Sequence, residues 1–179
     1  SYPAIRALRQ HYPNAKITWV TRPYAHALAE RCPDVDKAIS YDYSKNGKHV
    51  FPLGYGRLLK QLRRERYDMA FILHPTMRTN LLAWLSGIPY RVGYNGSMRF
   101  LLTHTTIDMR SQGSQHESKN ALSVVKAFGI DPPQGTSNIY LSESDNVAAI
   151  DKLKEIGVGY DKFIVLHADA SCASKRWPW

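Results

Sequence analysis

Apolar and polar residues follow two different periods along this chain, and the two periods alternate. Compact apolar runs typical of buried strands occur at residues 16–20, 37–41, 68–74, 91–94 and 105–109. Segments with an apolar residue at every third or fourth position lie between and after these runs, at residues 23–31, 55–66, 79–86, 117–128 and 147–156. Strands that alternate with helices over short connections predict βαβ units, and hence an α/β domain with a Rossmann-like, doubly wound parallel sheet.

The two ends of the sequence predict a unit that continues past them. Residues 4–8 carry an apolar stripe at helical spacing, so the chain opens on a helix, and the strand that should precede it is expected before Ser1. The apolar run 163–166 predicts a buried parallel strand. We therefore expect a fragment truncated at both ends. Its predicted parts are an N-terminal domain at residues 1–160 that lacks its first strand, and the opening strand and phosphate loop of a second domain at residues 161–179.

The charge of the chain narrows the classes of partner. Lys and Arg number 24 and Asp and Glu 15, which gives a formal net charge of +9. This surplus favours nucleic acid, phosphorylated lipid or nucleotide as partners, and a merely solvated basic surface is the alternative. Cys32 and Cys172 form no C-x-x-C pair, which favours a reducing compartment. No apolar run reaches the length of about 18 residues that a membrane-spanning helix needs.

The sequence contains none of the common catalytic motifs. It has no G-x-G-x-x-G, no G-x-x-x-x-G-K, no H-E-x-x-H and no G-x-S-x-G, so neither a dinucleotide fingerprint, a P-loop, a zinc protease helix nor a nucleophile elbow is predicted. The seven histidines are dispersed and give no metal-ligand spacing. We expect no metal site.

Cationic residues in the first half of the chain are candidates for an anion site. Arg78 follows the predicted strand 68–74, at the end of a strand where α/β proteins bind ligands, and it either contacts a ligand or pairs with a neighbouring carboxylate. Lys45 and Lys48 lie in a polar loop that is either a binding loop or a solvated one. The basic helix 55–66 is more typical of a solvated face.

A second cationic segment lies near the end of the chain. Lys175 and Arg176 follow the apolar run 163–166 and a loop of small and hydroxyl residues, 168–174. Small residues let backbone N–H groups approach a phosphate, and a following lysine neutralises its charge.

Two segments resemble one known family. The first is Tyr-Asp-Met-Ala-Phe-Ile-Leu at residues 67–73 together with Leu-Ser-Gly-Ile-Pro-Tyr-Arg-Val-Gly-Tyr at residues 85–94, and the second is Ser-Lys-Arg-Trp-Pro at residues 174–178. Together they resemble the ADP-heptose:lipopolysaccharide heptosyltransferases, and the type II members of that family are the closest in pattern. The Gly-Ile-Pro-x-Arg-x-Gly-Tyr and Lys-Arg-Trp-Pro pieces are the specific ones.

The resemblance implies a fold and a reaction. The fold is GT-B: an N-terminal domain that takes a lipid-linked sugar acceptor, and a C-terminal domain that takes an ADP-sugar. Transfer inverts the anomeric centre and needs neither metal nor cofactor, with ADP-heptose as the donor substrate. The catalytic carboxylate is expected before Ser1, so the 179 residues alone are expected to be inactive. The implied location is cytoplasmic, peripheral to the inner membrane, with a phosphorylated lipid A–core as acceptor.

The resemblance also assigns roles to residues. Lys175 matches the lysine that stabilises the leaving phosphate, and it forms the expected donor site with Ala170, Ser171, Ser174 and Arg176. The predicted acceptor site consists of Lys45, Lys48, Arg78 and Arg99.

Two alternatives to this assignment stay open. The family's Pro-Gly at the start of the phosphate loop is His167-Ala168 in this chain, so a related transferase with another activated sugar or acceptor is one alternative. A basic nucleic-acid-binding α/β module is the other; the net charge and the eleven tyrosines favour it, but no RRM, KH or zinc-finger pattern does.

Overall fold

A computed structural model of the chain describes residues 1–44, 47–49, 52–96, 98–133, 141–159 and 163–166. The chain divides into two compact units, Ser1–Tyr140 and Leu141–Trp179. The first unit carries every strand that the structure describes. The α-helices are α1 (Tyr2–His11), α2 (His26–Glu30), α3 (Leu53–Glu65), α4 (Met77–Leu85), α5 (Glu117–Lys126) and α6 (Glu143–Glu155). The strands are β1 (Thr18–Thr21), β2 (Lys37–Ser40), β3 (Met69–Phe71), β4 (Tyr90–Asn95) and β5 (His104–Ile107).

All strand pairs in the described residues are parallel. β1 pairs with β2, and β3, β4 and β5 form a second sheet in that order. Helices or short 3₁₀ turns connect successive strands, as parallel pairing requires. The predicted alternation of strands and helices and the parallel α/β fold are therefore confirmed. β3 is shorter than predicted, with three residues instead of the run 68–74.

Helices α3 and α4 share one core cluster with β2. Leu58 and Leu62 of α3 and Leu82 of α4 are buried there against Ile39 of β2. The two helices run side by side in the same direction. Near their first turns the hydroxyl of Tyr55 donates to the carbonyl of Arg78 at 3.4 Å. Near their ends Nε of Arg63 donates to the carbonyl of Leu85 at 2.8 Å.

A second core cluster joins α1 to α5. Ala4 and Ala7 of α1 pack against Ala121 and Val125 of α5, with Ile130 beneath them. Small residues let the two helices approach closely, and the helix predicted at the start of the chain is thereby confirmed.

The structure gives the Gly-Ile-Pro-x-Arg-x-Gly-Tyr segment a structural role. Arg91 donates from Nε to the carbonyl of Leu101 at 2.6 Å, and from Nη1 to the carbonyls of Ile88 and Pro89. A Cβ on Gly93 would lie 3.0 Å from Cδ1 of Leu102, so a larger residue at this position would require the Leu102 side chain to shift. The segment thus fixes β4 to the chain that leads into β5.

The second unit begins with a capped helix. Ser142 accepts a hydrogen bond from the backbone of Asp145, and the carboxylate of Asp145 accepts one from the backbone of Ser142. This is the predicted capping box, which satisfies two N–H groups that the first turn of a helix leaves unpaired.

The prediction of a strand at residues 163–166 is wrong. These residues adopt no regular secondary structure, and Ile164, Val165 and Leu166 are 95%, 77% and 89% exposed. A parallel strand forms only where a neighbouring strand pairs with its N–H and C=O groups, and the described residues of the second unit contain no such neighbour. The assignment of residues 161–179 to a second domain stays a prediction.

Candidate functional site

The candidate site lies where the first strands of the chain end. β1 and β2 are parallel, so their carboxyl ends meet at the same edge of the sheet. Arg22 directly follows β1, and Tyr41, Asp42 and Tyr43 follow β2. Arg78 joins them from the first turn of α4, the helix that comes after β3. This is the edge at which α/β proteins bind their ligands.

Two arginines contact the same tyrosine ring at this edge. The guanidinium carbon of Arg22 lies 4.0 Å from the centroid of the Tyr43 ring, and that of Arg78 lies 5.6 Å from it. Both distances are within the range of cation–π attraction, which allows two like charges to be held close together without a carboxylate between them.

Within the described residues, no carboxylate forms an ion pair with either arginine. The pKa of Asp42 is lowered mainly by the two hydrogen bonds that its carboxylate accepts from Ser44. The charge of Arg22 lowers it by a smaller amount. Nε of Arg22 is buried and has no hydrogen-bond partner. An unpaired buried donor costs roughly 1–3 kcal/mol. The Arg22 side chain, which has no described carboxylate partner, is therefore a candidate for contact with an anion at this edge.

A third donor faces the same space. The hydroxyl of Tyr41 is buried without a hydrogen-bond partner, and its ring lies 5.0 Å from that of Tyr43. Burial raises the pKa of Tyr41, whereas the charges of Arg78 and Arg22 act to lower it, so both guanidinium groups are near this hydroxyl. At neutral pH the group is an O–H donor. Arg22, Arg78 and Tyr41, grouped around the ring of Tyr43, are a candidate anion site, which we call the Tyr43 cluster.

A cavity of about 440 Å³ opens at the same segment. Its lining includes Ser40 and Asp42 at the end of β2, His26 of α2, and Lys48 and His49 of the following loop. Nδ1 of His26 is buried without a hydrogen-bond partner. The cavity therefore adds a lysine, Lys48, and a histidine, His26, to the candidate binding residues near the carboxyl end of β2.

Backbone contacts to Asp42 hold the loop that carries Lys48 and His49. The backbone N–H of His49 donates to the carbonyl of Asp42 at 2.7 Å, and Nδ1 of His49 accepts from the backbone N–H of Asp42 at 3.0 Å. Burial lowers the pKa of His49, and the charge of Asp42, which acts to raise it, offsets that effect only in part; the charge of Lys48 also lowers it. An unprotonated Nδ1 is what this acceptor role requires.

Two glycines permit this loop to pack as it does. A Cβ on Gly54, in the first turn of α3, would lie 2.7 Å from Cα of His49 and would also collide with the carbonyl of Lys48. A Cβ on Gly47 would lie 2.6 Å from the carbonyl oxygen of Asp42. The position of Lys48 in the cavity thus depends on both residues.

A second arginine–tyrosine pair lies at the ends of β4 and β5, but it is neutralised. The guanidinium carbon of Arg110 lies 4.5 Å from the centroid of the Tyr94 ring. Arg110 also donates two hydrogen bonds to the carboxylate of Asp108, at 2.8 and 2.6 Å. This pairing leaves less charge for a ligand than the Tyr43 cluster does.

The structure brings together only part of the predicted acceptor site. Arg78 belongs to the Tyr43 cluster, and Lys48 lines the cavity beside it. Arg99 lies in the 3₁₀ turn Arg99–Leu101, which packs against α4, and is exposed. Lys45 lies outside the described residues.

The predicted donor site lies entirely outside the described residues, and its assignment stays a prediction. It consists of Ala170, Ser171, Ser174, Lys175 and Arg176.

Sequence reasoning missed Arg22, Tyr41 and Tyr43. A signal was present, because Arg22 and Tyr41 each come directly after a strand, which is the same position that made the segment containing Arg78 a candidate. What the sequence did not show is that these residues meet around one ring.

The described residues hold no group of three or more His, Cys, Asp or Glu side chains placed as metal ligands. Metal independence of the reaction is not tested by this observation and stays a prediction. In the same part of the chain, no helix combines the length and the apolar character needed to cross a membrane.

Comparisons with protein sequences agree on one family. The sequence model of glycosyltransferase family 9 (heptosyltransferase) matches residues 55–179. A putative glycosyltransferase of Haemophilus influenzae is 29% identical over 129 residues, which are 72% of this chain and 36% of that protein. Lipopolysaccharide heptosyltransferase 2 of Escherichia coli is 32% identical over 103 residues, 53% of this chain and 27% of that protein. The chain thus spans about a third of the length of these relatives.

Comparisons with solved structures agree on the fold. A family 9 glycosyl transferase of Veillonella parvula matches with a TM-score of 0.82 at 23% identity, over 99% of this chain and 52% of that one. ADP-heptose lps heptosyltransferase II of E. coli matches with a TM-score of 0.63 at 21% identity, over 89% of this chain and 46% of that one.

Proposed function

Since the chain belongs to glycosyltransferase family 9, the heptosyltransferases, we propose that the whole protein moves heptose from ADP-heptose to the inner core of lipopolysaccharide. The names of the relatives support this choice of donor and acceptor. In this proposal the enzyme is cytoplasmic and peripheral to the inner membrane, and it uses no cofactor.

The Tyr43 cluster is the observation that carries the acceptor side of the proposal. Arg22 and Arg78 are two cations without a described ion-pair partner, held at the ligand-binding edge of a parallel sheet. The inner core of lipopolysaccharide bears phosphates and acidic sugars, which are the groups that a pair of guanidinium ions binds by two-pronged hydrogen bonds. Lys48 in the neighbouring cavity adds a further positive charge on the same side.

The donor side of the proposal rests on the residues near the end of the chain. We assign the diphosphate of the ADP-sugar to Lys175 and Arg176, with Ala170, Ser171 and Ser174 in the loop before them. Negative charge grows on the diphosphate as its bond to the anomeric carbon breaks. A lysine and aligned N–H groups stabilise that charge without a divalent metal.

The reaction then proceeds as one displacement. The acceptor hydroxyl attacks the anomeric carbon from the face opposite the diphosphate, its proton passes to a carboxylate, and ADP departs with the electrons of the broken bond. This inverts the anomeric centre. The 179 residues cover 36% and 27% of the relatives' lengths. We accordingly propose that they do not catalyse transfer without the remainder of such a protein.

The test is a transfer assay with the full-length protein. Purified enzyme is incubated with ADP-heptose and a lipopolysaccharide acceptor that lacks heptose, and the mass of the product is measured by mass spectrometry. A gain of one heptose, with ADP released, supports the proposal. Transfer from another nucleotide sugar but not from ADP-heptose would contradict the donor assignment, and activity of the 179-residue chain alone would contradict its proposed insufficiency.

A further inference from the structure

The outer face of α3 and α4 is a second basic surface, separate from the Tyr43 cluster. Arg57, Lys60 and Arg64 are exposed, and their spacing of three and then four residues places them in one stripe along α3. Leu58 and Leu62 of the same helix are buried in the core cluster that α3 shares with α4. The stripe therefore faces away from that core, towards solvent.

Exposed apolar side chains lie on the neighbouring helix α4 and on the 3₁₀ turn that packs against it. Met77 and Trp84 of α4 are 64% and 48% exposed, and their spacing of seven residues places them on one side of the helix. Phe100, in the 3₁₀ turn that packs against α4, is 72% exposed. α3 and α4 are adjacent and run in the same direction. We group the exposed cations of α3 with these exposed apolar side chains and call them the α3–α4 surface.

The positive charge of the α3–α4 surface is not neutralised by acidic residues of the same elements. Glu65 is the only acidic residue in α3, and α4 and the turn Arg99–Leu101 contain none. Both carboxylate oxygens of Glu65 are already engaged, one by Lys16 at 2.8 Å and the other by Lys37 at 2.5 Å. In the described residues, no ion pair joins Arg57, Lys60 or Arg64 to a carboxylate. The charge of the stripe is available to a partner.

We propose that the α3–α4 surface docks the protein on a lipid bilayer that contains anionic headgroups. The cations pair with the headgroups, while Met77, Trp84 and Phe100 enter the boundary between headgroups and acyl chains, where tryptophan and phenylalanine are favourable. Long lysine and arginine side chains span the same depth, because their stems are apolar and their ends charged. Nucleic acid is the other polyanion that a basic helix binds, but it gives no reason for exposed Met77 and Phe100 beside the cations.

The proposal does not depend on the sugar or the acceptor, so its test needs no substrate. The full-length protein is sedimented with vesicles of phosphatidylcholine alone and with vesicles that also contain phosphatidylglycerol. We expect binding only to the anionic vesicles. Binding should weaken between roughly 0.05 and 0.5 M salt, because added ions screen exposed charges.

Variants separate this surface from general basic charge. The triple variant Arg57→Ala, Lys60→Ala, Arg64→Ala should lower the partition coefficient roughly 100-fold, from about 1 kcal/mol for each cation near an anionic surface. The matched control is Lys119→Ala, Lys126→Ala, Lys152→Ala, which removes the same charge from exposed positions on α5 and α6. We expect the control to change the coefficient less than about threefold, with unchanged circular dichroism in both variants.

A fluorescence measurement tests whether the apolar side chains of the α3–α4 surface enter the bilayer. Brominated acyl chains should quench the tryptophan fluorescence of the bound protein, and Trp84→Phe should remove most of that quenching while the protein still binds. Equal loss of binding in the two triple variants would overturn the proposal, since binding would then follow net charge alone. Displacement from vesicles by short single-stranded RNA, together with quenching that Trp84→Phe leaves intact, would overturn it in favour of nucleic acid.

Discussion

Arg22 and Arg78 come from segments more than fifty residues apart, yet both guanidinium groups lie over the ring of Tyr43, at 4.0 and 5.6 Å from its centroid. The aromatic face holds the two charges where a carboxylate would have cancelled them. This arrangement keeps the positive charge available at the edge of the sheet where β1 and β2 end. Nε of Arg22 is also left without a hydrogen-bond partner.

The first prediction concerns this pair. In the full-length enzyme, Arg22→Ala and Arg78→Ala should each raise the acceptor KM roughly tenfold to 100-fold, because each removes a charge-assisted hydrogen bond worth about 1.5–3 kcal/mol. The donor KM should stay within about twofold, since the change acts on acceptor binding alone. Steady-state kinetics with both substrates varied measures this. Lys119→Ala is the control for charge, and a rise in donor KM instead would move the site to the other substrate.

The second prediction concerns Lys175. Lys175→Ala should lower kcat roughly 10²–10³-fold, as expected for the loss of one group that stabilises charge in the transition state. Lys175→Arg should restore only part of the rate, because a planar guanidinium does not replace a point charge. The measurement is kcat and ADP-heptose KM for all three proteins. If both constants of Lys175→Ala stay near those of the parent enzyme, Lys175 is not at the donor diphosphate.

The third prediction contrasts two glycines of the same helix. Gly54→Ala should destabilise the protein by about 1–3 kcal/mol, since the new methyl group meets the backbone of Lys48 and His49. Gly56→Ala is the matched control. It lies two residues further along α3 with nothing within 4 Å of its Cβ, and should stabilise by about 0.5–1 kcal/mol through helix propensity. Urea unfolding compares the two, and equal effects would show that the loop does not depend on Gly54.

The fourth prediction is a pH dependence from His49. Burial lowers the pKa of His49 below its ordinary value of 6.5, so between these two pKa values the unfolded chain binds a proton that the native protein does not. The free energy of unfolding should therefore be fully maintained above about pH 6.5. It should decrease as the pH falls from there towards the pKa of the folded state.

A variant isolates that contribution. In His49→Asn the amide oxygen takes the position of Nδ1 and can still accept from the backbone N–H of Asp42, but the side chain no longer titrates. Urea midpoints between about pH 5 and 8 should then vary less than in the parent protein. The same slope in both proteins would mean that another group causes the dependence.

Much of the regular structure was predictable because its signals are local. Apolar runs such as the one around Trp19 predicted strands, and Ser142 with Asp145 predicted the start of α6. Residues 163–166 show where such reasoning fails, since their apolar run is as strong but a strand also needs a neighbour. The Tyr43 cluster was not predictable in full either. Arg78 was identified from its place after a strand, but its approach to Arg22 depends on how β1, β2 and α4 are placed in space.

Arg91 donates hydrogen bonds to the carbonyls of Ile88, Pro89 and Leu101, and we call this set of contacts the Arg91 clamp. The clamp has a consequence for engineering this family. It joins β4 to the turn that holds Leu101, and its described hydrogen bonds involve none of Arg22, Tyr43 and Arg78. The segment that resembles the family is thus physically separate from the residues proposed to contact an anion. A library that varies positions 22, 43 and 78 can be built on an intact Arg91 clamp, so that changes in acceptor preference are selected without selecting against folding.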